Sequence, residues 1–198
     1  MENVKSVVSL YTESTPNPST MKFVVNRMLI KGLSVDYTNI DETAEAPFAK
    51  ALFSFDYITA VFVKNNFVTI TKTDTKDWHE VIPEIREFIR AYLSEEKPIF
   101  TEAGLEVIKV DSLKNAGGDT EIENQIIELI QTYVQPAVEM DGGSIVFKSY
   151  NEGVVTLGMQ GACSGCPSST ITLKNGIQGL LQRMMPEGLV KDVVAEDM

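Results

Sequence analysis

Gly153-Val154-Val155-Thr156-Leu157-Gly158-Met159-Gln160-Gly161-Ala162-Cys163-Ser164-Gly165-Cys166-Pro167 carries a strand-like segment through a pair of cysteines into the start of a helix. Residues 153–160 have the composition and length of a strand. Pro167 suits the first position of a helix, where its missing N–H costs nothing. Between them, two residues separate the cysteines, and that spacing lets one turn aim both sulfurs at a single soft metal centre. Gly161 and Gly165 permit backbone conformations that a Cβ resists. Ala162 and Ser164 are small and leave room for a bulky group. Ser168, Ser169 and Thr170 fall in or near the first helical turn, where short hydroxyls can serve backbone donors that lack a helical partner. A helix N-terminus favours thiolate over thiol and stabilises negative charge beside it.

Working outward, residues 144–150 are a second strand-like segment, joined to the first by a short turn at Asn151-Glu152. Asp141-Gly142-Gly143 is a tight turn ahead of it. Thr120 and Glu123 form a capping-box pattern, a hydroxyl and a carboxylate three residues apart. Ile122, Ile126, Ile130, Tyr133, Val134 and Ala137 then predict one face of a helix whose last turn Pro136 should kink. Beyond the cysteines, Ile177, Leu180, Leu181 and Met184 predict a final long helix, and Val190, Val193 and Val194 a last short strand. The order is α-β-β-α-β.

The first half is a separate region of mixed character. Strands are expected over 7–12 and 21–26, separated by the turn Thr15-Pro16-Asn17-Pro18-Ser19. Phe48, Leu52 and Phe55 predict a helix over 44–55, and residues 58–63 and 67–72 a hairpin around Lys64-Asn65-Asn66. Trp78, Val81, Ile82, Ile85, Ile89 and Tyr92 form a helical stripe over 77–93. Pro83 inside it requires either a late start or a bend. Ser94-Glu95-Glu96-Lys97-Pro98 and Asn115-Ala116-Gly117-Gly118-Asp119 punctuate the boundary. The expected organisation is a domain over 1–98, a linker over 99–118 and a domain over 119–198. Leu105-Glu106-Val107-Ile108-Lys109-Val110 within the linker reads as a short strand or an ordered connection. The fold class is α+β, with two small domains of mixed α and β structure.

With 198 residues, 43% of them hydrophobic, the chain can build a real core in each domain. No apolar run is long enough to span a membrane. The formal net charge of −11 repels phosphate backbones and speaks against nucleic acid as a partner. A basic patch on a protein partner suits it better. The opening residues Met1-Glu2-Asn3-Val4-Lys5-Ser6 resemble neither a signal nor a transit peptide, so the expected location is the cytoplasm, where thiols stay reduced. Cys163 and Cys166 are the only cysteines, which points to a local chemical role rather than a disulfide framework. Structural zinc and the common iron–sulfur clusters each take four protein ligands. One chain supplies two thiolates, and its single histidine, His79, lies on the polar side of a helix in the first domain. Two chains meeting at this loop would supply four, as would a second molecule's thiols. A redox dithiol and an intersubunit zinc site use the same two residues and remain alternatives at this point.

Cys163-Ser164-Gly165-Cys166-Pro167-Ser168-Ser169-Thr170-Ile171-Thr172-Leu173-Lys174-Asn175-Gly176-Ile177, with Pro136 and Asp141-Gly142-Gly143 upstream, closely resembles the cluster-binding domain of NifU-like (Nfu-type) proteins. The resemblance covers residues 119–198. Thr15-Pro16-Asn17-Pro18 followed by Lys22-Phe23, and Val61-Phe62-Val63 with Phe67-Val68-Thr69-Ile70, resemble the N-terminal domain that often accompanies it. The resemblance implies a scaffold or carrier rather than an enzyme. Two subunits of a homodimer would share a 4Fe–4S cluster through Cys163 and Cys166 and pass it to apo-proteins by ligand exchange. The chain departs from the family pattern at three places. Ser144 stands where an acidic residue is usual, Gln135 where a basic one precedes the proline, and Gly188 where a β-branched residue is usual.

Other residues read as structural. Asp141 looks like a turn residue rather than a ligand, Met184 and Met185 like core packing, and His79 like a solvated helix residue. Phe53, Phe55 and Tyr57 are expected to be mostly buried. The first domain carries no nucleophile–base set and no phosphate loop, and its expected job is to select or position a partner.

Overall fold

A computed structural model describes residues 7–114, 117–118, 120–165 and 167–197. The chain divides into two compact units, one holding the residues up to Ser14 with Pro18–Ile108, the other Thr15–Asn17 with Lys109–Met198.

The first unit is a five-stranded antiparallel sheet in the order β1-β2-β5-β4-β3, made of β1 (Leu10–Ser14), β2 (Thr20–Val25), β3 (Ser34–Tyr37), β4 (Ile58–Lys64) and β5 (Phe67–Lys72). Asn65, at φ 48°, turns the β4–β5 hairpin, a backbone region that asparagine tolerates better than most residues. Alternation along the strands sends Phe23, Val61, Val63, Val68 and Ile70 into one core. Helices α1 (Pro47–Leu52) and α2 (Trp78–Ser94) bring Phe48, Leu52, Val81, Ile85 and Ile89 into the same core. Each such side chain taken from water contributes about 1.5–3 kcal/mol. Pro83 lies inside α2, which starts at Trp78 and so does not start late. His79 is exposed, Tyr57 is buried, and Phe53 and Phe55 are partly buried against the core, as the sequence suggests.

Two readings of this half are corrected. Ser34–Tyr37 is a strand that the periodicity did not reveal. Of the two readings of residues 105–110, the strand is excluded, because they lie in a helix, α3 (Glu102–Lys114). Of its apolar residues, Leu105 and Ile108, three apart, are the ones that pack on the core, while Val107 and Val110 are exposed. The Thr101 hydroxyl accepts the Gly104 N–H at 3.0 Å and caps the helix start.

The second unit shows the α-β-β-α-β order. It comprises α4 (Glu121–Leu129), a π-helical turn (Ile130–Val134), α5 (Gln135–Met140), β6 (Gly143–Asn151), β7 (Val154–Gly161), α6 (Pro167–Met184) and β8 (Asp192–Asp197). The sheet order is β6-β7-β8. The β6–β7 pair is antiparallel. The β7–β8 pair is parallel and therefore needs the crossover that α6 supplies. The β6–β7 turn uses Glu152 (φ 49°) and Gly153 (φ 93°), one residue later than expected, because Asn151 still pairs with Val154.

The capping box at the start of α4 is complete. The Thr120 hydroxyl accepts the Glu123 N–H at 3.2 Å, and the Glu123 carboxylate accepts the Thr120 N–H at 2.9 Å. Thr120→Ala is expected to lower the stability of this unit by about 1 kcal/mol, read as a shift in its urea midpoint with unchanged slope.

The helix that carries Pro136 is not regular. The wide π turn just before it absorbs the missing N–H and the ring. That turn also resets the phase of the stripe. Ile126, Ile130, Val134 and Val138, four apart, are buried, whereas Tyr133 and Ala137 are exposed. At the end of α6, Met185 is buried but Met184 is exposed, so only one of the two methionines packs in the core.

Candidate functional site

β7 delivers the chain into the first cysteine. Gly143 and Gly161 face each other as the last pair of the β6–β7 ladder. The chain then turns, with the Ala162 N–H donating to the Gly142 carbonyl at 3.2 Å, the Cys163 N–H to the Gln160 carbonyl at 3.4 Å and the Ser164 N–H to the Gly161 carbonyl at 3.1 Å. Gly161 (φ 62°) and Gly165 (φ 70°) take the left-handed conformations for which glycine suits them. Cys163 is 5% exposed and belongs to the hydrophobic core of this unit. Cys166 lies outside the described residues. Pro167 begins α6, as its chemistry suggests.

The adjacent glycines of Asp141-Gly142-Gly143 are needed for different reasons. Gly142, at φ 84°, reverses the chain after α5. Gly143 needs empty space, because a Cβ there would lie 2.4 Å from Cys163 Sγ and 2.8 Å from the Gln160 carbonyl oxygen. The sulfur of the candidate ligand therefore rests directly on the backbone of β6. Asp141 itself is exposed and caps α5, which is the turn role expected of it.

One contact has no signal in the spacing of the sequence. The Asp197 carboxylate, at the end of β8, accepts the Ser164 hydroxyl at 2.9 Å and the Gly165 N–H at 3.1 Å through the same oxygen. The parallel register that sets Asp197 beside Met159 brings it under the loop. Among the described residues no three His, Cys, Asp or Glu side chains are grouped to hold a metal ion.

Two of the departures from the family pattern meet in space. The Gln135 amide donates to Ser144 Oγ at 2.9 Å and to the Glu139 carboxylate at 2.9 Å, and its carbonyl accepts the Ile145 N–H at 3.3 Å. A neutral pair, Gln135 and Ser144, thus joins the start of α5 to the start of β6. Gln135→Ala deprives the Ile145 amide of its side-chain acceptor at the edge of the sheet. It is expected to cost about 1–3 kcal/mol, measured by chemical denaturation. The third departure also has a local cause, since Gly188 sits at φ 83°.

Residues 10–96 match the family model described as "Scaffold protein Nfu/NifU N terminal", and residues 126–194 match the "NifU-like domain". The chain belongs to the NifU-like (Nfu) family. It is 36% identical over 192 residues to "NifU-like protein 4, mitochondrial" of Arabidopsis thaliana, covering 95% of this chain and 67% of that protein. It is 39% identical over 184 residues to "NFU1 iron-sulfur cluster scaffold homolog, mitochondrial" of Drosophila willistoni, covering 92% of this chain and 62% of the relative. The chain thus spans about two thirds of the length of these relatives. A solution NMR structure of a NifU-like protein from Saccharomyces cerevisiae matches 52% of this chain and 92% of its own, with 21% identity and a TM-score of 0.45.

The expectation of a cytoplasmic location is overturned. The relatives from Arabidopsis and Drosophila, and a human one 34% identical, are named mitochondrial.

Proposed function

We propose that this chain is an iron–sulfur cluster scaffold and carrier. In this reading two copies share a 4Fe–4S cluster through Cys163 and Cys166 of each, and the cluster is cargo that is handed to apo-proteins. The observation that carries it is the position of the cysteine pair. The chain's only two cysteines flank a glycine-bearing loop between a strand and a helix, inside the segment that matches the NifU-like domain. The scaffold names of the relatives support the same role.

The chemistry follows from ligand number and charge. Four thiolates satisfy a 4Fe–4S cluster, and two chains supply four. The positive end of α6 offsets the negative charge of a thiolate-bound cluster. Hand-over is ligand exchange without turnover. An acceptor thiol gives up its proton and bonds to iron, and the Cys163 or Cys166 sulfur it displaces leaves as a thiolate that takes a proton. A cluster held between subunits can be opened this way without unfolding either chain. Disulfide exchange is a weaker reading, because one helix and one short strand follow the cysteines, less α/β structure than a thioredoxin-like domain carries after its motif.

The test is anaerobic reconstitution with iron and sulfide, followed by incubation with an apo-ferredoxin whose folded, coloured form is separable on a column. About four irons per two chains and appearance of the ferredoxin spectrum at the expense of this protein's are expected. A protein that stays colourless after reconstitution, or that binds zinc alone, contradicts the reading.

A further inference from the structure

The two residues that separate the cysteines are both tied to one carboxylate. Ser164 donates through its hydroxyl and Gly165 through its backbone N–H, and the acceptor for both is Asp197 Oδ1. Their partner lies 33 and 32 residues away along the chain, at the last position of β8, so this is a tertiary restraint and not a property of the turn. A charge-assisted bond to a carboxylate is roughly twice as strong as a neutral one. On its other side the turn is fixed by the Cys163 sulfur, which packs against Gly143.

We infer that Asp197 is a positioning residue for the cysteine loop. Its carboxylate holds Ser164 and Gly165, keeps Cys163 Sγ seated on Gly143, and so sets how readily the loop takes up and releases a cluster. The inference rests on the proposal that Cys163 and Cys166 are the ligands, but the restraint acts on the apo-protein as well, and this allows a separate test. Groups that orient metal ligands from behind typically change affinity by about 10–100-fold when removed. Removing the Asp197 side chain leaves the backbone pairing of β8 with β7 in place, so the fold should persist.

Three full-length proteins decide the matter: the parent, Asp197→Ala and Asp197→Asn. The asparagine retains an oxygen that can accept both donors. The first readout is alkylation of the apo-protein by iodoacetamide, with the rate at Cys163 followed by mass spectrometry. The second is the rate at which an iron chelator strips the reconstituted protein. Asp197→Ala is expected to raise both rates, the stripping rate by about tenfold, while Asp197→Asn, which keeps the acceptor oxygen and loses the charge, falls between the two. Thermal melting of each variant reports whether the fold is intact. Equal Cys163 alkylation in the parent and in Asp197→Ala overturns the inference, whether or not a cluster forms. So does an asparagine variant as impaired as the alanine, since that would make charge and not hydrogen-bond acceptance the cause. A parent that takes up no cluster overturns the proposed function and leaves the alkylation comparison to judge Asp197 by itself.

Discussion

Gly143→Ala costs the protein most of its ability to hold a cluster while leaving the first unit untouched. The added methyl would sit 2.4 Å from Cys163 Sγ, 2.8 Å from the Gln160 carbonyl oxygen and 3.0 Å from the Cys163 amide. Two of these are backbone atoms of the turn that presents the cysteine, so the clash cannot be relieved by rotating one flexible side chain. The turn has to move, and Cys163 moves with it. Overpacking of this kind costs about 1–3 kcal/mol of stability. A displaced ligand costs more in metal retention, because a misplaced sulfur lies outside bonding distance of iron. Iron and acid-labile sulfide that survive desalting after reconstitution are expected to fall by about tenfold or more, with only a modest drop in the denaturation midpoint. Retention at the parent level would mean that Cys163 does not need its seat on Gly143 to bind.

The second large effect comes from the ligands themselves. Cys163→Ser and Cys166→Ser should each abolish the cluster, because two chains left with one thiolate each supply only two of the four ligands the cluster needs. Cys163→Ser also carries a cost in stability. Cys163 is 5% exposed within the core of the second unit, so a serine there buries a hydroxyl at a cost of about 1–3 kcal/mol. Cys163→Ala separates this cost from the loss of the ligand, since it removes the sulfur without burying a polar atom. Absorption in the visible region and melting of the apo-protein, measured on the same samples, read the two effects independently. A single-serine variant with a full cluster spectrum would remove the cysteine pair from the account.

Much of the architecture was legible because local signals agreed. The capping box at Thr120 and the proline that opens α6 each act within one turn of chain and appear where the sequence puts them, while the β6–β7 turn falls one residue later than read. The errors arose where a tertiary partner overrode a local pattern. Residues 105–110 are short and rich in β-branched side chains, yet a helix satisfies them because Leu105 and Ile108, three apart, pack on the core. Tyr133 and Ala137 fit an ideal helical face, but the π turn before Pro136 shifts the stripe to steps of four. Met184 and Met185 are neighbours in sequence and end on opposite sides of the surface.

The site divides in the same way. The cysteines, their small neighbours and the Asp141-Gly142-Gly143 turn could be read directly. Cys163 Sγ against Gly143, Asp197 beneath Ser164 and Gly165, and Gln135 facing Ser144 could not, because each depends on strand register or helix docking.

The central claim is that one cluster is shared by two chains. Native mass spectrometry of the anaerobically reconstituted protein tests it most directly, because it weighs the protein and its cargo together. The account predicts a species of two chains plus four irons and four sulfides, which collapses to metal-free single chains in Cys166→Ser. A single chain carrying iron and sulfide, or a pair of chains holding only zinc, would contradict it.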